Sequence, residues 1–255
     1  RVFRRAPVLF FRIFVKGAYE MRRPENLYIR IEDEENFEEP MDAIVPLVFS
    51  QSRTGLELEC YFGVYKEARD FLLEYGANPF SKEALSELNR RLLPYLEAEG
   101  YHREGGELRY YRSFVLWDKR KLNRSLIRPD SVMLSRTVLE KVLENRTDFD
   151  LEELLLKRLP TALTLKEGNV LSVASVNEHG KNQRLLEASV YTLPDARGQG
   201  FGQSNVALLC HSVLEKRMGV VYCCSCHNQP SLKIAKAVGF RSESRFYAVD
   251  AYKND

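Results

Sequence analysis

The chain has 255 residues, of which 44% are hydrophobic and 29% charged, enough for one large domain or two smaller ones with their own cores. Its 38 Lys and Arg residues nearly balance its 36 Asp and Glu residues, and the formal net charge is +2. A nucleic-acid-binding surface normally needs a clear basic excess, which this chain lacks. Its longest apolar stretches are shorter than the roughly 18–20 residues of a membrane helix. We therefore expect neither nucleic acid nor a membrane as a partner.

The cysteines and the first residues indicate a compartment. Five cysteines are an odd number, and three are crowded at Cys223, Cys224 and Cys226, unlike the spaced cysteines of a disulfide framework. The first residues lack a secretory pattern, because Arg12 and Lys16 interrupt their apolar run. We expect a cytoplasmic protein.

Residues 1–125 alternate between extended and helical patterns. Segments rich in β-branched and aromatic residues, typical of strands, are 8–15, 27–31, 56–65 and 108–117. Leucines three or four residues apart predict a helix over 81–97, with Ser81 as its N-cap and Pro94 as a point where it kinks or ends. A shorter helix is predicted over 66–75. We expect an N-terminal α+β domain that shapes an acceptor site or binds a partner.

Residues 126–255 show a sharper order of elements. The predicted elements are helices at 135–145 and 150–159, strands at 161–166, 170–176 and 185–193, a helix from the glycine-rich loop to Met218, a strand at 219–226, a helix at 230–238 and a strand at 242–252. Gly239 follows the last helix as its terminating glycine. The order ααβββαβαβ predicts an α/β domain.

The glycine-rich loop is the most informative segment. The third strand of this domain runs into Arg197-Gly198-Gln199-Gly200-Phe201-Gly202 and then directly into a helix. Backbone N–H groups and the positive end of the helix dipole then face one point, which suits an anion such as a phosphate. Arg197 can add a charge-assisted hydrogen bond to the same group. The alternative is a tight strand-to-helix turn without a ligand.

Two other phosphate-binding motifs do not fit this loop. A Walker loop needs Gly-Lys-Ser/Thr after four spacer residues, and the chain has no such run here. The dinucleotide fingerprint needs two residues between its last glycines, whereas Gly200 and Gly202 are separated by one.

A second motif stands downstream. Residues 228–240 read Asn-Gln-Pro-Ser-Leu-Lys-Ile-Ala-Lys-Ala-Val-Gly-Phe. The run 191–202 is similar to the acyl-CoA loop, Arg/Gln-x-x-Gly-x-Gly/Ala, of the GNAT superfamily of N-acetyltransferases, and 228–240 is similar to that superfamily's closing Asn-x-x-Ser/Ala helix. Both stand in the family's order and separation, and the resemblance covers 126–255. It implies a GNAT-like fold, a mixed, splayed β-sheet flanked by helices, as a domain that follows the N-terminal α+β domain.

The resemblance also implies where acetyl-CoA binds as a co-substrate. The pantetheine arm is expected to pair with backbone groups near Tyr191 and Thr192, and Asn228 to touch the CoA arm with Ser231 as an assisting neighbour. The pyrophosphate is expected on the amides of Arg197, Gly198, Gln199, Gly200, Phe201 and Gly202.

Acetyl transfer to an amine needs proton transfers. An alkyl amine is mostly protonated at neutral pH, and freeing its lone pair costs roughly 4–5 kcal/mol, so a base is needed. Glu187 is our candidate base because the family often places a carboxylate on that strand; the alternative is a solvated strand residue. The family's proton-donating tyrosine position holds Ala235 here. We take Tyr191 as the candidate in its place, and Tyr222 and Tyr247 are further ones. Spacing supports none of the three, so the proton donor stays open.

The cysteine cluster has a metal-binding alternative. Residues 223–227 formally match a haem-attachment string, and with Cys210 and His211 they could suggest zinc. The cluster continues the apolar run 220–222, however, so we expect a buried strand in which cysteine acts as a small apolar residue, and no metal.

These patterns predict an acetyl-CoA-dependent N-acetyltransferase. It would transfer the acetyl group to an amine of a small molecule, rather than a protein, by direct attack through a tetrahedral intermediate. The alternative is a catalytically impaired GNAT-like module that binds CoA or acyl-CoA in a regulatory or interaction role, which Ala235 motivates. The sequence leaves the acceptor and a homodimer open.

Overall fold

The computed structural model describes residues 19–22, 27–32, 43–52, 55–103, 110–178 and 184–253. They form two compact units. The first, here called the loop unit, contains 113–224 and 228–242, and the second, the N-terminal unit, contains the described residues up to 112 together with 225–227 and 243–253. The predicted strand at 8–15 lies outside the described residues, and a division into functional domains at residue 125 stays a prediction.

The described residues form strands and helices in a mixed α/β order, so the predicted α/β class is confirmed. The strands are β1 (Tyr19–Arg22), β2 (Leu27–Glu32), β3 (Ala43–Gln51), β4 (Leu56–Tyr61), β5 (Tyr101–His102), β6 (Tyr111–Leu116), β7 (Ser131–Met133), β8 (Glu144–Asn145), β9 (Thr161–Lys166), β10 (Asn169–Glu178), β11 (Leu185–Thr192), β12 (Gly219–Ser225) and β13 (Arg241–Lys253). The helices are α1 (Tyr65–Tyr75), α2 (Lys82–Ala98), α3 (Arg136–Leu139), α4 (Leu151–Leu156), α5 (Phe201–Glu215) and α6 (Gln229–Val238). No helix of these residues is long and apolar enough to cross a membrane.

The N-terminal unit packs α1 and α2 on a sheet with the order β1-β2-β4-β3-β13. Helix α2 begins as predicted, because the Ser81 hydroxyl accepts a hydrogen bond from the Ala84 N–H at 3.1 Å. Pro94 was expected to kink or end this helix. The prediction of an end is wrong, because α2 continues to Ala98. Pro94 lies on the exposed face, where water can satisfy the carbonyl that loses its partner, while Leu92 and Leu96 on the opposite face are fully buried.

Strand β3 was not predicted, because Pro46 interrupts its apolar sequence. The structure accommodates the proline at an irregularity of the β3–β13 ladder: Leu47 pairs with Val249, but Ile44 pairs with Ala251, so the register shifts between them. A proline has no N–H to donate to a ladder, and such a bulge is a position where this causes no loss.

The loop unit is a sheet with the strand order β6-β12-β11-β10-β9-β7 and helices on both faces. Helices α5 and α6 pack on one face, and α3 and α4 on the other. β10 and β11 are antiparallel, whereas β11 and β12 are parallel with α5 as the crossover, so the sheet is mixed. The predicted strands at 161–166, 170–176, 185–193 and 219–226 correspond to β9 to β12.

The first predicted helix of this unit is shorter than expected. It spans Arg136–Leu139 rather than 135–145, although Ser135 caps it. The N–H of Leu143 donates to the Gly168 carbonyl at 2.7 Å, and β8 then pairs with the start of β10. Because these backbone groups bond to the β9–β10 turn, they cannot continue a helix. The second helix is also shorter, Leu151–Leu156, and begins at its predicted cap, Asp150.

Candidate functional site

Strands β11 and β12 run side by side but part after a short paired stretch. Three residue pairs join them, from Leu185 with Gly219 to Glu187 with Val221. β11 continues to Thr192 and β12 to Ser225 without further pairing between the two. At about 3.3 Å per residue, the edge of β11 beyond Glu187 is roughly 15 Å long. Backbone groups along such an edge can pair with a ligand that carries amides.

The glycine loop follows at the end of this edge. One 3-10 turn, Pro194–Ala196, leads to Gly198 and Gly200, whose φ angles are +77° and +82°. A Cβ added at either glycine would meet nothing within 4 Å, so the space in front of both is open. Gly200 is the N-cap of α5 and provides no side chain to cap it, which leaves the first N–H groups of a 15-residue helix available to an anion.

Gly202 serves a different purpose from the other two glycines. It lies in the first turn of α5, and a Cβ there would stand 3.2 Å from Thr192 Oγ1 and 3.4 Å from Ile234 Cδ1. A side chain would therefore push α5 away from β11 and α6. The glycine keeps the start of α5 close to the gap between the strands.

Two arginines lie at the loop. Arg197 is exposed, and its Nε donates to the Thr192 carbonyl at 3.2 Å, which ties the loop to the end of β11. Arg128 was not predicted: its Nη1 donates to the Gln199 carbonyl at 3.0 Å, and its guanidinium lies 4.8 Å from the Phe201 ring centroid. Asp130 holds this guanidinium through two bonds of 3.1 Å each. Arg128 is distant from the loop in sequence, and no pattern in the chain identifies it.

A series of hydrogen-bonded, buried hydroxyl and amide groups lies beneath the loop, and the sequence did not predict it either. It connects Ser204 to Ser131 at 2.7 Å, Thr164 to Asn205 at 3.1 Å, Asn205 to the Ser172 carbonyl at 3.0 Å, and the Ser172 hydroxyl to Thr192 Oγ1 at 2.9 Å. Asn205 is fully buried, and its carbonyl and amino groups are both bonded. These bonds fix the start of α5 against β10 and, through Thr192, against the end of β11.

Helix α6 begins beside the gap. The Asn228 side chain accepts a hydrogen bond from the Ser231 N–H at 3.1 Å, so it caps α6. The Ser231 hydroxyl bonds to the phenol of Tyr222, a residue of β12 that is 2% exposed. Burial raises the pKa of Tyr222 to about 12, and the bond from Ser231 partly opposes this rise.

Glu187 lies where the pairing of β11 and β12 ends. It pairs with Val221, and Cys223 is two residues further along β12, so the side chains of Glu187 and Cys223 lie on the same face of the sheet. The Cys223 thiol is hydrogen-bonded to Glu187 and to Ser113 of β6. Burial, followed by the charge of Glu187, raises the pKa of this thiol, which is therefore a neutral donor and a weak nucleophile.

A comparison with protein families identifies this arrangement. Residues 133–240 match the family model described as "Acetyltransferase (GNAT) family". Residues 133–240 are a GNAT domain. No curated protein matches the chain.

Solved structures similar to the chain include several GNAT proteins. One GNAT-family protein from Novosphingobium aromaticivorans has 15% identity and a TM-score of 0.46 over 61% of this chain and 69% of that one. A GCN5-related N-acetyltransferase-like protein from Streptococcus suis has 19% identity and a TM-score of 0.42 over 63% and 69%. A ribosomal-protein-alanine N-acetyltransferase from Brucella melitensis has 18% identity and a TM-score of 0.37 over 49% and 99%. With TM-scores this low, the assignment rests on the family model.

The GNAT domain separates the two residues proposed from sequence as catalytic. Glu187 and Tyr191 lie on the same face of β11, but four residues apart, which is about 13 Å along a strand. The Tyr191 ring packs against the cluster of Leu193, Ala196 and Phe201 below the loop. Ala235 is fully buried in α6 and offers no hydroxyl.

Two further cysteines of the GNAT domain are part of its packing. Cys210 of α5 and Cys224 of β12 are buried in the core between α5 and the sheet, and burial raises the pKa of Cys210. Among the described residues, no group of three or more His, Cys, Asp or Glu side chains could hold a metal ion.

Proposed function

We propose that this GNAT domain transfers the acetyl group of acetyl-CoA to the amine of a small-molecule acceptor, in the cytoplasm. The observation that carries the proposal is that two features meet at Thr192. The edge of β11 that β12 leaves unpaired ends at this residue, and the open glycine loop follows it. A linear molecule with amides along an arm and a pyrophosphate at its end matches both features in that order.

The residues present fit such a co-substrate. The amides of 198–203 would hold the pyrophosphate, since the space in front of Gly198 and Gly200 is open. Arg197 and Arg128 add two positive charges at the loop. The backbone of 188–192 would pair with the amides of the pantetheine arm, because β12 does not pair with β11 beyond Glu187.

The chemistry requires one activated acyl group and one free amine. Acetyl-CoA supplies the acyl group as a thioester. Glu187 takes the proton of the amine, whose deprotonation otherwise costs roughly 4–5 kcal/mol at neutral pH. The neutral thiol of Cys223 holds the carboxylate in place by donating to it. An N–H of the unpaired β11 edge stabilises the negative charge that develops on the carbonyl oxygen, so no covalent enzyme intermediate is needed.

A second candidate function is a domain that binds CoA or acyl-CoA without turnover. The observation that favours it is Ala235, which stands where GNAT enzymes commonly carry a proton-donating tyrosine. Both functions need the same CoA-binding site along β11 and the glycine loop, and they differ only in the reaction at the thioester.

Thermal unfolding with acetyl-CoA tests what the two functions share. A ligand that binds only the folded state at 100 times its Kd adds about 2.7 kcal/mol of stability, so the melting temperature should rise with ligand concentration. An unchanged melting temperature with acetyl-CoA and with CoA contradicts both functions.

Release of the CoA thiol in the presence of amines then separates the two functions. A panel of polyamines, aminoglycosides, amino acids and peptide N-termini should contain at least one acceptor that increases release. Glu187→Gln should keep the thermal shift and lower kcat/KM about 100-fold, because it removes the base. Glu215→Gln, at the far end of α5, is the matched control and should behave as the native protein. Binding without release by any amine favours the second function.

A further inference from the structure

Tyr222 occupies a distinctive position at the gap. It is the first residue of β12 beyond the last pair, Glu187 with Val221. Its side chain faces α5 and α6, since Tyr222 belongs to the core cluster on that side together with Val220. Glu187 lies on the opposite face. The base and this phenol therefore flank the gap from its two faces.

The phenol is held in place from two directions. Its ring centroid lies 5.7 Å from that of Phe240, and its oxygen bonds to the Ser231 hydroxyl in the first turn of α6. A phenol can accept one hydrogen bond and donate another at the same time, so Tyr222 can accept from Ser231 and still donate its own proton to a ligand.

We propose that the Tyr222 O–H donates a hydrogen bond to the CoA sulfur as the carbon–sulfur bond breaks, and so replaces from β12 the hydroxyl that Ala235 lacks in α6. This rests on the proposed function. The amine nitrogen forms a bond to the acyl carbon, the carbon–sulfur bond breaks, and its electron pair stays on sulfur. Glu187 takes two protons from the nitrogen in turn, the ammonium proton before the attack and a second one from the tetrahedral adduct, and passes each to water. The thiolate leaves while Tyr222 bonds to it.

Tyr222 acts as a hydrogen-bond donor and keeps its proton. Burial raises the pKa of Tyr222 to about 12. A thiol has a pKa of about 8.5, so complete transfer of the phenol proton to the thiolate is unfavourable by roughly three to four pK units. A thiolate is stable enough to leave with a hydrogen bond alone. The phenol therefore stays protonated throughout the pH range of an assay.

Binding measurements test this role without turnover. We compare CoA with desulfo-CoA, in which hydrogen replaces the thiol, in isothermal titrations at pH 9, where CoA is largely thiolate. Tyr222→Phe should weaken CoA about tenfold and leave desulfo-CoA unchanged. Tyr75→Phe is the matched control: its ring stacks on that of Phe71 with centroids 5.5 Å apart in the N-terminal unit, and the loss of its hydroxyl should leave both affinities unchanged.

A second measurement compares the native protein with Tyr222→Phe. The thiol pKa of bound CoA, followed by thiolate absorbance, should lie about one unit below that of free CoA and return to the free value in Tyr222→Phe. Equal weakening of both nucleotides by Tyr222→Phe, or an unshifted thiol pKa in the native protein, overturns the role of Tyr222 while the proposed function stands. Failure of the native protein to bind either nucleotide contradicts the proposed function, and this inference with it.

Discussion

Replacing Gly200 tests whether the glycine loop binds a phosphate group. Gly200 has a φ of +82° and caps α5, and a Cβ there would point into open space. Gly200→Gln and Gly200→Glu introduce side chains of the same size, and both carry the left-handed strain of about 1–2 kcal/mol for a non-glycine residue. They differ in one negative charge beside the site proposed for the pyrophosphate.

The effect of that charge follows from Coulomb's law. At a separation of about 5 Å, two unit charges repel by roughly 0.8 kcal/mol in bulk water and about 3 kcal/mol at an effective dielectric constant of 20. The glycine loop is partly exposed, so we expect a repulsion of about 1–3 kcal/mol, which is roughly 5- to 150-fold in affinity. Salt should narrow the difference, because the Debye length falls from about 10 Å at 0.1 M to about 3 Å at 1 M.

Isothermal titration of CoA into the variants measures these terms separately. Gly200→Gln should bind CoA more weakly than the native protein, and Gly200→Glu more weakly still. Gly100→Gln and Gly100→Glu are the control pair, because Gly100 is another open left-handed glycine, with a φ of +77°, in the N-terminal unit, and both variants should bind CoA as the native protein does. Equal CoA affinities of Gly200→Gln and Gly200→Glu at low salt would refute the placement of a phosphate at this loop.

Other sites give further expected outcomes. Arg128→Ala removes the bond to the Gln199 carbonyl and should weaken CoA about 3- to 10-fold by titration, whereas Arg120→Ala, in an exposed pair with Asp118, should not. Asn205→Ala leaves two buried partners unsatisfied and should lower the free energy of unfolding in urea by about 2–4 kcal/mol; a loss below 1 kcal/mol would contradict the buried series of hydrogen bonds. Burial raises the pKa of Asp250, partly offset by Arg103, so the folded state binds the proton more tightly than the unfolded chain. Stability is then lost as pH rises past the unfolded value near 4, and Asp250→Asn should raise the melting temperature at pH 7 but not at pH 3.

Local signals in the sequence were sufficient for much of the loop unit. Thr161–Lys166 has the predicted bounds, and Gly239 ends α6 with a φ of +107°. The glycine loop lies between a strand and a helix as expected. Turn residues, caps and alternation act within a few positions of the chain, and for that reason they are visible in one sequence.

The features that were missed depend on contacts between distant residues. Arg128 reaches Gln199, and Asn205 joins Thr164 to Ser172, across long stretches of chain. The helix predicted at 135–145 stopped early because the backbone near Gly168 bonds to it. No propensity or motif encodes such partners, since they are set by how the strands align in the sheet.

A crystal structure of the protein with CoA tests whether CoA binds along β11 with its pyrophosphate on the glycine loop. Pantetheine density is expected along Ala188–Thr192, between β11 and β12, and the pyrophosphate on the amides of 198–203 with Arg128 and Arg197 nearby. The sulfur should lie within hydrogen-bonding distance of the Tyr222 oxygen. CoA bound elsewhere on the protein, with β11 and β12 paired along their whole length, would contradict this binding site.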